Sequence, residues 1–372
     1  MSKKESLTEI SASEKSLFFR QKLLEWFAQN HRPMPWKGEK DPYLVWLSEI
    51  ILQQTRVEQG WPYFEKFRKQ YPTVHALAQA SEDDVLKLWE GLGYYSRARN
   101  LHYTARYISE QLDGVFPNTL AGLLKLKGVG PYTAAAIASF AFDLPHAVVD
   151  GNVFRVLSRF FGIETPIDST EGKKEFTRLA NQLLDPKRPA DFNQAIMDFG
   201  AIHCTPATPN CGKCILTQQC VAFQSKKTTL FPVKSKRPEK RKRHFNYLII
   251  NEKERVFIHK RTGKDIWRHL YEFPIIETNN VINNVENLRS HLHAQWGEVP
   301  EKFEVVRKSR LFKQTLTHQI IVARFWEITC PGLPEGIRSR YLLTERKNLS
   351  KFALPKIIDL YLRDKSLILE ML

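Results

Sequence analysis

The stretch from Leu126 to Asp150 constrains this chain more than any other. It reads Leu-Lys-Gly-Val-Gly-Pro-Tyr-Thr-Ala-Ala-Ala, and twenty residues beyond Gly130 it reaches Asp150 in Val-Val-Asp-Gly-Asn. That order predicts helix, tight turn, helix, and then a carboxylate delivered to the start of a further helix. Gly128 and Gly130 suit a turn that needs positive φ or close backbone approach. Pro131 stands where a helix accepts proline, at its first position. Tyr132 to Phe140 is alanine-rich and helix-forming. Such a hairpin turns unpaired backbone N–H groups and the positive end of a helix dipole outward, which suits a phosphate. A lone Gly-x-Gly would read as an ordinary corner, and the remaining chain decides against that.

A length of 372 residues exceeds one ordinary core and predicts two domains. The formal net charge of +16 points to a polyanion, nucleic acid by default; charge alone weighs that about evenly against a merely solvated basic surface. No apolar stretch approaches a membrane span. Residues 1–16 are polar, with acids mixed in, and carry no export or transit signal. Four of the five cysteines fall within residues 204–220, which suits a metal site in a reducing, intracellular compartment better than a disulfide framework.

In chain order, Ser13 caps a helix running to about Asn30, with Leu17, Leu24 and Phe27 on one stripe. A Pro-broken loop, His31 to Pro42, contains Trp36. The next helix is Pro42-Tyr-Leu-Val-Trp-Leu-Ser-Glu-Ile-Ile-Leu-Gln-Gln-Thr, with Glu49 in its middle. Its neighbours three and four positions away are Val45, Trp46, Leu52 and Gln53, so the carboxylate loses water and its pKa rises. Further helices are expected at about 61–69, 81–88, 96–111, 120–127, 152–161, 173–184 and 191–202, with no strong strand pattern before residue 225. Gly91-Leu-Gly-Tyr-Tyr-Ser-Arg-Ala-Arg offers stacking faces and phosphate contacts. Residues 1–225 thus read as a mainly α-helical domain and 226–243 as an extended basic linker. Residues 244–372 read as an α+β domain, with strands at 244–250, 255–260 and 318–326 and a helix over 284–295.

Cys204, Cys211, Cys214 and Cys220 are separated by six, two and five residues. A shared metal with a structural role explains four thiolates so close together. One Cys-x-x-Cys pair leaves zinc and an iron–sulfur cluster both open. Two acids stand out as well. Glu49, among apolar side chains, tends to stay protonated. Asp150 precedes a helix, where a cap and the dipole favour its ionised form. A proton donor paired with an anion is the arrangement that cleaves a glycosidic bond through an oxocarbenium-like state.

On these residues the chain resembles the endonuclease III superfamily of DNA glycosylases over 14–225: helix–hairpin–helix, following aspartate and four-cysteine loop. More closely, Pro42–Thr55, Gly91-Leu-Gly-Tyr-Tyr-Ser-Arg-Ala-Arg-Asn-Leu and Val-Asp-Gly-Asn-Val-Phe-Arg-Val are similar to the MutY-type adenine glycosylases. Those also carry a Nudix-like C-terminal domain, to which Trp267-Arg-His-Leu-Tyr-Glu-Phe-Pro is similar. The resemblance implies one 4Fe–4S cluster on the four cysteines. It implies a monomer, without membrane, acting on double-stranded DNA that carries adenine opposite 8-oxoguanine or guanine. Glu49 would protonate the adenine ring, Asp150 stabilise the sugar cation, and Asn152 hold Asp150 and the water. Tyr132 stands where strand-nicking relatives have a Schiff-base lysine, which implies base removal without lyase action; Lys125 and Lys127 lie on the preceding helix. Gln54, Thr55, Leu92 and Tyr94 match residues that wedge into the duplex, and Gly128 and Gly130 the hairpin that binds it. Trp36 matches the adenine pocket wall. Gln194 stands where some relatives have a pocket glutamate, and Lys37 where an arginine is frequent. Leu316-Thr317-His318 is similar to a Phe-Ser-His segment that contacts the oxidised guanine. Glu286-Asn-Leu-Arg-Ser lacks the active Nudix signature, so the second domain would read the lesion. The loop Thr-Pro-Ala-Thr-Pro-Asn between Cys204 and Cys211 has no cation, leaving Lys213 the only charge inside the site. Two other readings are a bifunctional pyrimidine-lesion glycosylase/lyase and a noncatalytic DNA-binding protein.

Overall fold

In the computed structural model, the helices that frame the Leu126–Asp150 stretch start on short-range signals. The structure describes residues 2–30, 32–235, 239–297, 299, 302–330 and 333–364, with side chains from residue 13 onward. Its helices up to residue 225 are α1 (Ser2–Gln29), α2 (Pro42–Leu52), α3 (Val57–Gln70), α4 (Val74–Gln79), α5 (Glu82–Leu88), α6 (Ser96–Gln111), α7 (Leu120–Leu123), α8 (Pro131–Phe142), α9 (Gly151–Phe161), α10 (Thr170–Leu183), α11 (Pro189–Asp198) and α12 (Val221–Gln224). No strand occurs before residue 225 among the described residues. Asp41 caps α2 by accepting from the Tyr43 N–H at 2.8 Å, and Pro42 takes the first position. Pro131 does the same for α8. Asp150 caps α9, its Oδ1 accepting from Asn152 N at 2.9 Å and Val153 N at 2.8 Å.

Two compact units make up the chain: Met1–Gln79 with Asn100–Arg237, and Ala80–Arg99 with Pro238–Leu372. In the first, Phe19 and Leu23 of α1 pack on Val153, Val156, Leu157 and Phe160 of α9, and on the apolar faces of α10 and α11. The buried stripe of α1 is Phe19, Leu23 and Trp26; Leu17, expected on it, is 50% exposed. The helix also begins at Ser2, ahead of the expected cap at Ser13. α2 is buried on all sides from Tyr43 to Ile51 except at Leu44. α4 was not anticipated. α7 stops after one turn, so Lys125 and Lys127 lie in the turn that follows it rather than on a helix. Gly128 has φ +83°, and a Cβ there would stand 2.8 Å from the Asn100 Cβ, so glycine is required twice over. Gly130 departs from expectation: its φ is −89° and the space around it is open.

In the second unit the sheet strands are β1 (Arg241–Glu252), β2 (Arg255–Lys260), β3 (Tyr271–Glu272), β4 (Ile275–Thr278), β5 (Glu304–Lys308), β6 (Phe312–Thr315), β7 (Gln319–Thr329) and β8 (Leu342–Glu345), with α13 (Val285–Trp296), α14 (Glu335–Arg338) and α15 (Lys356–Leu362). The strand order is β3-β2-β1-β7-β5, with β4 also on β1, β6 on β7 and β8 on β2. β1 and β7 run parallel from Arg241↔Gln319 to Asn251↔Thr329, and the other pairs are antiparallel. Phe245, Tyr247 and Ile249 of β1 meet Ile357, Ile358 and Tyr361 of α15 on one face. Leu248 and Ile250 meet Leu288, Leu292 and Trp296 of α13 on the other. Covered on both faces, β1 reads as an apolar run rather than an alternation. It also takes up Arg241–Arg243 from the basic stretch expected as linker; residues 236–238 of that stretch lie outside the described residues. Residues 80–99 belong to this unit through Lys260 Nζ–Asp83 (2.5 Å), Tyr271 Oη–Asp83 (3.1 Å) and the Leu354 N–H donating to Glu90 at 2.9 Å.

Candidate active site

Within the helical unit, α2, α8 and the N-terminus of α9 face one cleft of about 930 Å³. Trp36, Glu49, Thr55, Tyr132, Asp150, Asn152 and Gln194 all line it. Carboxylates a hundred residues apart in the chain therefore share one wall.

Glu49 is 6% exposed, between Val45 at 3% and Trp46 at 0%. Burial raises its pKa from 4.5 to about 7. A hydrogen bond from the Tyr132 hydroxyl pulls it down, and the nearby Asp150 carboxylate pushes it up. The same surroundings push the Tyr132 phenol well above its usual value, burial first and the two carboxylates next.

Asp150 is supplied differently. Besides the two backbone N–H groups, Asn152 Nδ2 donates to its Oδ2 at 2.6 Å. These donors and Arg155 favour the ionised form, as expected of a cap, yet burial outweighs them and its pKa lies above the ordinary aspartate value. The cap thus favours the anion as expected, and burial works against it. The approach to Asp150 is held by Asn193, which is 1% exposed. It accepts from Val148 N (3.0 Å) and donates to the His146 carbonyl (2.8 Å) and Ser139 Oγ (2.9 Å).

Arg155 escaped the sequence reading. Its Nη2 donates to Asn152 Oδ1 at 2.8 Å and to the Gly200 carbonyl at 2.6 Å, and its Nε to the Cys204 carbonyl at 2.8 Å. Gly200 admits this approach: a Cβ there would stand 2.7 Å from the Asn152 Cβ. The available signal was spacing, an arginine one turn past a capping aspartate. The Lys37–Asp198 ion pair, with Asp198 buried, was missed too, since its partners are 161 residues apart. Gln194 Nε2 donates to the same Asp198 at 3.1 Å.

Other expected residues fall as follows. Gln54 is exposed in the left-handed region, at φ +55°. Tyr94, at φ +48° and 45% exposed, hydrogen-bonds through its hydroxyl to Thr317 Oγ1. Thr317 and His318 occupy the exposed turn between β6 and β7. Leu92, by contrast, is buried, at 6% exposed. Arg97 is not a free phosphate contact either: it is buried with its guanidinium 5.0 Å from the Trp89 ring centre.

Cys204, Cys211, Cys214 and Cys220 line one cavity with His203. Among the described residues no three His, Cys, Asp or Glu side chains stand at metal-holding geometry. The chemistry of the donor set does fit a metal–sulfur group. Arg159 Nη1 donates to Cys204 Sγ, and Leu216 N to Cys214 Sγ, both at 3.4 Å, as thiolate ligands require. Burial, aided by the other three thiols, pushes Cys214 up to about 12, so a metal would be needed to hold it as thiolate. Arg159 also ties this loop down, donating to the Thr205 and Pro206 carbonyls at 2.7 and 2.8 Å.

Residues 47–185 match the HhH-GPD superfamily base excision DNA repair proteins and residues 246–364 the NUDIX domain, so fold and site define a helix–hairpin–helix repair domain followed by a Nudix-type domain. The adenine DNA glycosylase of Buchnera aphidicola subsp. Schizaphis graminum is 37% identical over 274 residues, 73% of this chain and 78% of that protein. The mouse adenine DNA glycosylase is 44% identical over 239 residues, 60% of this chain and 46% of that protein. The solved structure of a thermostable thymine-DNA glycosylase, 30% identical, aligns with a TM-score of 0.54 over 58% of this chain and 99% of that one. The chain belongs to the adenine DNA glycosylase family.

Proposed function

We propose that this protein is a base-excision-repair enzyme that hydrolyses the N-glycosidic bond of adenine in double-stranded DNA, where adenine is mispaired with 8-oxoguanine or guanine. The observation that carries the reading is the meeting of Glu49, poised near neutrality, with Asp150 in one cleft. An adenine turned out of the duplex enters the cleft beside Trp36 and Gln194, a step that costs least at a mispair. Glu49 protonates the adenine ring as the C1′–N9 bond breaks, and the bonding electrons leave with the base. Asp150 faces the cationic sugar, held by Asn152. Water then adds to C1′ and its proton returns to a carboxylate. Thr55 of the cleft lining, with Gln54 and Tyr94 beyond it, contacts the duplex, the Gly128–Gly130 hairpin contacts phosphate, and Thr317 with His318 reads the base opposite. The Tyr94–Thr317 hydrogen bond supports a joint role for those two residues. The stretch from residue 226 to the start of β1 joins the glycosylase domain to the lesion-reading domain.

The four cysteines would hold one 4Fe–4S cluster, which would tie the 204–220 loop together through metal–thiolate bonds. Iron and sulfide analysis with the visible spectrum tests this: zinc without iron would overturn it. The deciding assay for the main reading is single-turnover excision on duplexes that differ only in the base opposite adenine. Equal rates opposite thymine and 8-oxoguanine would defeat it. Tyr132 cannot form a Schiff base, so strand nicking should be absent. Lys37, Lys40 and Lys187 do line the cleft, and strong borohydride trapping would favour the lyase reading instead.

A further inference from the structure

The cavity of the four cysteines contains a fifth donor. α11 passes into a π-helical turn, Phe199–His203, and His203 immediately precedes Cys204. Such turns recur where a helix must present a side chain to a functional site. The imidazole is clamped: it stacks on Phe199 at 4.9 Å and meets the edge of Trp26 at 6.2 Å. Its Nε2 is buried without a hydrogen-bond partner. The Asn210 N–H donates to the His203 carbonyl at 3.1 Å, which holds the residue's backbone to the cysteine loop. A neutral imidazole binds a metal through the ring nitrogen that carries no proton, and an unpaired Nε2 can serve as that nitrogen. A buried polar atom left unpaired is costly, and a cavity lined by four thiols supplies a reason for it.

We propose that His203 Nε2 is a reserve ligand of the metal–sulfur group, taking the place of Cys204 when that thiolate is lost. The exchange breaks one metal–sulfur bond, whose electron pair leaves with the Cys204 sulfur as that thiolate takes a proton, and forms one metal–nitrogen bond with the pair supplied by Nε2, with no change in oxidation state. Cys204 is the ligand whose replacement moves the chain least, because it is the adjoining residue. The inference rests on the cluster reading, and iron in the unaltered protein tests that reading separately.

The experiment compares iron and sulfide per chain in Cys204→Ser, in Cys204→Ser/His203→Phe and in Cys214→Ser, with pulsed EPR for bound nitrogen. Cys204→Ser should keep most of its iron and show the coupling of a directly bound imidazole nitrogen. The double variant should lose iron at least fivefold relative to it, and Cys214→Ser should lose iron even though His203 is present. Equal iron in Cys204→Ser and the double variant, or no nitrogen coupling in Cys204→Ser, would overturn the proposal. A second measurement avoids altering any cysteine. During exposure to hydrogen peroxide, His203→Phe should release iron severalfold faster than the unaltered protein, and equal rates would count against the reserve role.

Discussion

The middle of α2 and the N-terminus of α9 each deliver a carboxylate to the same cleft, and they treat it differently. Glu49 sits among apolar side chains with one hydroxyl donor, from Tyr132, and its pKa reaches about 7. Asp150 is half-buried and receives two backbone N–H groups, the Asn152 amide and the field of Arg155. Depth raises both. The supply of donors separates them into a group that can give up a proton near neutral pH and a group better equipped to stay an anion beside a cation. The difference lies in the place each takes on its helix: a mid-helix side chain finds no free backbone N–H, while an N-cap finds several.

The sharpest way to break this contrast is to remove each acid. Asp150→Asn should bind mispaired duplex and lose excision by several orders of magnitude in single-turnover assays. Glu49→Gln should lose about 10² to 10⁴, the usual worth of a general acid. If either variant excises at the normal rate, the assignment of roles fails. Next in size is pH. Because Glu49 must be protonated, the excision rate should fall about tenfold per pH unit above pH 7. Tyr132→Phe deletes the hydrogen bond that pulls the Glu49 pKa down, so that alkaline limb should move to higher pH. A limb that stayed in place would show that Tyr132 does not govern Glu49.

The smallest effect concerns stability. Between pH 4.5 and 7 the folded protein holds the Glu49 proton and the unfolded chain does not, so stability falls as pH rises through that window. Above it the cost reaches about 3 kcal/mol. Glu49→Gln should therefore raise Tm at pH 8 and leave it nearly unchanged at pH 4.5, as measured by thermal unfolding. An equal rise at both pH values would mean that packing, not charge, was relieved.

Much of the site was legible before the fold. Glu49 announced itself through Val45, Trp46 and Leu52 at helical spacing, and Asp150 through the helix start that follows it. Both signals are local, as is the φ +83° at Gly128. Errors arose where one local pattern served two outcomes. Gly130 looked as constrained as Gly128 and is not. Leu17 fitted a stripe that α1 turns to solvent. Leu92 and Arg97 sit in a glycine-rich, aromatic segment that reads as stacking faces and phosphate contacts, and both are buried.

By itself the sequence determined where helices start, which acids lie in apolar or capped settings, and that four thiols crowd one loop, because each follows from neighbours within a few residues. Only the tertiary structure decided that Glu49 and Asp150 share a cleft, that Arg155 joins Asn152 to Cys204, that burial works against the cap at Asp150, and that His203 lines one cavity with the cysteines. Those outcomes depend on desolvation and on partners brought together from distant parts of the chain, and no local spacing encodes either.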